Sequence, residues 1–202
     1  MDKLKKVTLV GDSIRMGYQK FVHDELRGLA EVSGSDENGE HSEKILHHLN
    51  EWIISERPHI VHINCGLHDL KRKYGANGTT IPIIQYKENL CKIFEGIKRD
   101  TNSIIIWATI TPVNEKWHRE FKGFDRLEAD VESYNEVAVT VAKKYGVLIN
   151  DLFSIINQAG RDLYLSLDGV HFNDKGYILL GKVVSEYIKP ILSSISKNVT
   201  IS

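Results

Sequence analysis

The chain has 202 residues, 42% of them hydrophobic and 26% charged, with a formal net charge of −1. That length suits one large domain, 1–202, with a full core, and the balanced charge excludes a field that would draw the chain onto nucleic acid or an anionic membrane. No apolar stretch is long enough to span a bilayer, the run VTLV after MDKLKK is too short for a signal-peptide core, and Cys65 and Cys91 follow no metal or redox spacing, so a cytoplasmic protein is expected.

KKVTLVGD (5–12) reads as a buried strand running into a turn, and GDSIRMG puts Ser13 where the strand gives way to a helix. Backbone N–H groups and the helix dipole at such a turn favour a developing negative charge; a plain N-cap serine is the simpler reading of the same position. Arg15, close behind, can meet an anionic group on a substrate or lie solvated. A weak strand is expected near Ala30–Ser33. In the loop SGSDENGEHS that follows, Gly39 can supply a positive-φ turn and a backbone N–H facing a substrate oxygen.

In residues 41–56, Ile45, Leu46, Leu49, Trp52 and Ile53 recur at spacings of three and four, which predicts an amphipathic helix. HIVHINCG (59–66) is the next buried strand, and it delivers His68 and Asp69 to its end. KRK at 71–73 reads as a solvated charge run. A helix is predicted over 86–100, a strand over 103–110, and then a long loop, 110–123, in which Trp117 and His118 can line or cover a cleft. A helix over 126–146, a strand over 146–151 and the polar stretch SLDGVHFND (166–174) lead to a last helix, from Asp174 to Pro190.

Strands separated by helices imply right-handed crossovers and a buried parallel sheet, hence a three-layer α/β/α sandwich with about five strands. Ligands in such sheets bind beyond the carboxyl ends of the strands, where Ser13, His68–Asp69 and the 110–123 loop fall. A serine nucleophile needs a base, and the base needs a group to hold its tautomer. Asp168 and His171, three apart, can supply both, with the Ser13 and Gly39 N–H groups as oxyanion donors. A metal site built from His59, His62, His68 and Asp69 is disfavoured, because His59 and His62 point to opposite faces of a strand.

Gly11-Asp12-Ser13, Gly39, Gly66-Leu67-His68-Asp69 and Asp168-Gly169-Val170-His171 together resemble, in order and over nearly the whole chain, the motifs of the SGNH hydrolases of the GDSL esterase/lipase group. The resemblance implies a flavodoxin-like fold and a serine esterase that uses no cofactor and no metal. Its catalytic residues would be Ser13, His171 and Asp168, and its oxyanion hole Ser13, Gly39 and His68. Arg15 and Trp117 are candidates for binding the substrate, a small-molecule ester of short-acyl or acylated-sugar type. One position departs from the family: His68 stands where its asparagine donates to the oxyanion. A neutral imidazole still carries one N–H, so donation is the role expected of His68, with Asp69 orienting the ring. The rival readings are a catalytically silent binding module of the same fold and a metal-dependent hydrolase.

Overall fold

The computed structural model describes residues 4–198. Five strands, β1 (Lys5–Val10), β2 (Ala30–Gly34), β3 (Ile60–Ile63), β5 (Ile104–Ala108) and β7 (Leu148–Asn150), form one sheet in the order β2-β1-β3-β5-β7. Every neighbouring pair is parallel, with Val7 opposite Val32 on one side of β1 and Ile60 on the other. A parallel sheet must be covered on both faces, and its central strands accordingly read as continuous apolar runs. All four residues of β3 are buried, as are Val7–Val10 of β1.

Helices α1 (Ser13–Glu25) and α7 (Asp174–Asn198) pack together on one face of the sheet. On the other, α3 (Ile83–Asp100) packs between α2 (Ser42–His47) and α5 (Glu128–Lys144). The chain leaves β1 toward β2 on one side and reaches β3 on the other. The carboxyl end of β1 is therefore the switch point, where open α/β sheets bind their ligands. Ser13 stands there.

Four expectations need correction. The helix predicted over 41–56 gives way after α2 to a wider turn at Asn50–Ile54, where Ser55 N–H bonds the Asn50 carbonyl at 2.8 Å; Ile45, Trp52 and Ile53 stay buried through the change. The last helix runs past Pro190, because its apolar face continues through Ile188 and Leu192, and this outweighs the single backbone bond the proline forfeits. The 110–123 loop contains a helix, α4 (Glu115–Phe121), capped by the Asn114 side chain on Trp117 N–H. The basic run is not merely solvated. Arg72 and Lys73 form β4, which pairs antiparallel with β6 (Phe124–Asp125), and Arg72 grips Asp130 through two bonds of 2.6 and 2.7 Å. The remaining helix, α6 (Leu152–Ala159), leads from β7 toward the 164–173 loop.

Candidate active site

Gly11 lets β1 pass tightly beneath the site. A Cβ there would come within 2.0 Å of Asn64 Oδ1. Asp12 then caps α1 by accepting from Ile14 N–H at 2.9 Å, so the cap is Asp12 and Ser13 is the first helical residue. The Ser13 N–H belongs to the first turn and has no carbonyl of its own helix to bond. Its hydroxyl is left to other partners.

That partner comes from the loop between α6 and α7. Ser13 Oγ lies 2.8 Å from His171 Nε2, and His171 Nδ1 lies 2.6 Å from Asp168 Oδ2. The second oxygen of Asp168 accepts from Ser166 Oγ and from the backbone N–H groups of Val170 and His171, at 2.8, 3.1 and 2.9 Å. Burial pushes the Asp168 carboxyl up, but these bonds, led by that of the His171 ring, hold it well below the usual carboxylate range. A charged Asp168 fixes the proton on Nδ1 and leaves the Nε2 lone pair facing the Ser13 hydroxyl.

The turn carrying Asp168 is clamped from outside. Gly169 has φ of +71°, and a Cβ there would meet the Asn114 carbonyl at 2.4 Å and His118 N at 2.7 Å. Asn114 N–H bonds the Gly169 carbonyl at 2.8 Å, and His118 Nδ1 donates to the Asp168 carbonyl at 3.1 Å. The start of α4 thus holds this turn in place.

The model of the GDSL-like lipase/acylhydrolase family matches residues 9–179, from the end of β1 into α7. The chain belongs to this family. As a GDSL-like protein of the SGNH fold it is a carboxylic ester hydrolase. A lipase/acylhydrolase from Enterococcus faecalis is 25% identical and superposes with a TM-score of 0.78, covering 93% of this chain and 96% of that one. The acetylxylan esterase Axe2 from Geobacillus stearothermophilus is 19% identical, with a TM-score of 0.72 over 92% and 93% of the two chains. The acetyl xylan esterase AlAXEase is 18% identical, with a TM-score of 0.72 over 91% and 99%. No curated protein matches the sequence.

Within this GDSL-like hydrolase the other expected site residues divide. Gly39 packs on Gly11, where a Cβ would sit 2.7 Å from the Gly11 carbonyl. The Gly39 N–H, expected to face a substrate oxygen, donates to that same carbonyl at 2.9 Å. Arg15, expected at the substrate, is only 1% exposed. Its guanidinium donates to the Ser35 and Glu37 carbonyls at 2.8 Å each and to Gln19 Oε1 at 2.6 Å, strapping the loop after β2 to α1. Trp117 is half-buried against the core, and its Cβ crowds Gly169 from behind the turn.

His68 lies beside the Gly39 loop, within the influence of Glu40 and His41, and is half-buried. Burial, then the charge of Arg126, lowers its pKa to about 4, so the ring is neutral near pH 7 and carries one N–H. Among the described residues no protein group bonds either ring nitrogen. Asp69 does not orient it. Both its oxygens accept from Ser42 N–H, at 3.0 and 3.1 Å, and Ser42 Oγ adds a bond of 2.5 Å, so Asp69 secures the start of α2. His62, buried in mid-sheet, faces Tyr18 and Asn150. Among the described residues no group of three His, Cys, Asp or Glu side chains is placed to hold a metal ion.

Two residues at the site have roles that the sequence does not show. His118, a cleft-lining candidate by its place in the 110–123 loop, braces Asp168. Arg126 belongs to no motif. It is 6% exposed, donates through Nε to the Leu67 carbonyl at 2.6 Å, and feels the charges of Asp12 and Asp168. One signal was available: a cation just before α5 faces the positive end of the helix dipole, an unfavourable position that needs some other reason to be filled.

Proposed function

We propose that the protein hydrolyses a small carboxylic ester through a covalent acyl-enzyme on Ser13. The observation carrying this reading is the unbroken row from Ser13 Oγ through His171 to Asp168, at 2.8 and 2.6 Å. Ser13 attacks the acyl carbon while His171 Nε2 takes its proton, and Asp168 stabilises the imidazolium that forms. The tetrahedral intermediate collapses as His171 returns the proton to the leaving alcohol. Water, deprotonated by the same ring, then attacks the ester of Ser13 and releases the acid.

The oxyanion lies at the start of α1, where Ser13 N–H and the helix dipole point at it. His68 contributes its one N–H in place of the family's asparagine. The Gly39 N–H joins from the other side, because a charged oxygen is a stronger acceptor than the Gly11 carbonyl it bonds at rest. The likeness to two acetylxylan esterases supports a small acyl group on a sugar alcohol as the substrate class.

The test is steady-state hydrolysis of 4-nitrophenyl acetate by the wild type, Ser13→Ala and His171→Ala. Each substitution is expected to lower kcat by a factor on the order of 10⁴ or more, with little effect on folding. Retention of wild-type turnover by Ser13→Ala would remove the covalent mechanism.

A further inference from the structure

Helix α4 meets the turn of Asp168 along one side. Asn114, His118 and Lys122 are spaced by four, so they stack along a single face of the helix and its caps. Asn114 N–H bonds the Gly169 carbonyl, and His118 donates to the Asp168 carbonyl. Lys122 reaches the carboxylate itself. Its Nζ lies 3.9 Å from Asp168 Oδ2, the oxygen that His171 Nδ1 bonds at 2.6 Å. The other oxygen already accepts from Ser166, Val170 and His171 N–H, so the carboxylate is oriented without Lys122. What the ammonium adds there is charge.

The backbone of Lys122 is held from behind. Its N–H bonds the His118 carbonyl at 2.9 Å, and the Tyr74 hydroxyl is shared between the Arg119 and Lys122 carbonyls, which closes the last turn of α4. With its side chain 38% exposed, the Lys122 pair contributes little to stability. Four other titratable or charged groups face Asp168 and His171: Asp12 at the cap of α1, His118 on α4, Arg126 just before α5 and Tyr177 on α7. Asp12, His118 and Arg126 are buried and Tyr177 is half-buried. Among these neighbours Lys122 is the cation that salt can screen.

We propose that Lys122 is a positioning residue that acts through Asp168: its ammonium competes with the His171 imidazolium for the same carboxylate oxygen and so extends activity toward acid pH. The ring works as a base only while Nε2 is unprotonated. Asp168 favours the imidazolium, and a second cation on Oδ2 opposes it, both by drawing on the carboxylate and by repelling the charged ring. This inference rests on the serine-esterase reading above and adds what sets the acid limit of that site.

The experiment measures the rate of fluorophosphonate labelling against pH, by intact mass, for the wild type, Lys122→Met, Lys122→Arg and Ser13→Ala at two salt concentrations. At about 0.02 M salt the acid limb of Lys122→Met is expected about 0.3–0.6 pH unit above that of the wild type. Lys122→Arg keeps the charge and should stay within about 0.1 pH unit of the wild type. At about 0.5 M salt, where the screening length is roughly 4 Å, the gap between Lys122→Met and the wild type should shrink by about half or more. Coincident limbs for Lys122→Met and the wild type overturn the proposal, as does a shift toward acid. So do equal shifts in both lysine variants, which would point to a lost contact rather than a lost charge, and a gap that salt leaves unchanged. In each of these cases the serine mechanism stands as long as Ser13→Ala takes no label. A wild type without label, or a Ser13→Ala variant labelled as fast as the wild type, would defeat the serine mechanism itself and the proposal with it.

Discussion

In the mechanism proposed above, His68 takes over the task of the family's asparagine. A neutral imidazole offers one N–H, as one arm of an amide does, and burial keeps this ring neutral by lowering its pKa to about 4. His68→Asn should therefore retain kcat within about tenfold of the wild type, whereas His68→Ala should lose a factor on the order of 10²–10³, the usual cost of one oxyanion donor. Steady-state kinetics on 4-nitrophenyl acetate decides it. Equal, near-wild-type rates in both variants would take His68 out of the site.

At the scale of elements, the site is a meeting of three turns, each held by a clamp outside itself. Arg15 ties the loop after β2 to α1 through the Ser35 and Glu37 carbonyls. Asp69 pins the start of α2. The start of α4 holds the turn that carries Asp168. Gly169→Ala tests the last clamp, because its Cβ would run into the Asn114 carbonyl at 2.4 Å and a positive φ disfavours alanine. The variant should lose about 1–3 kcal/mol of stability and a larger share of kcat than of KM, as Asp168 is displaced from His171. Thermal unfolding and kinetics of the same preparation would show it. Unchanged kcat would mean that the turn is positioned without α4.

At the scale of the whole molecule, acid stability follows from buried titrating groups of opposing sign. Burial lowers His62 to about 3 and His68 to about 4, from 6.5. The unfolded chain therefore binds more protons than the folded one below pH 6.5, and their contribution is lost as pH falls through that window. Asp69 acts oppositely. Burial raises it to about 6, so the folded chain holds the extra proton between 3.8 and 6 and gains stability as pH falls there. From pH 7 to pH 5 the two histidines together cost at most ~4 kcal/mol and Asp69 returns ~1, for a net loss of about 2 kcal/mol once screening of half-buried His68 is allowed for. Urea midpoints should fall over that interval, and fall less in His68→Asn.

The same scale separates what the sequence makes legible from what it hides. The alternation of strands and helices, the turn at Ser13 and the Asp168–His171 pair are legible because each lies within a few residues of chain, where period and turn chemistry act. Arg126 stays hidden because its partner, the Leu67 carbonyl, lies 59 residues away. The short α4 and the two-residue strands β4 and β6 carry too few residues to show a period. The bond from Gly39 N–H to the Gly11 carbonyl is set by how closely two loops approach, which no local pattern records.

The central claim is that Ser13 is an activated nucleophile, and intact-mass analysis after treatment with a fluorophosphonate tests it most directly. The account predicts one adduct on the wild type, none on Ser13→Ala, and much slower labelling of His171→Ala. A folded wild-type protein that takes up no label, or a Ser13→Ala variant that takes up as much as the wild type, would contradict it.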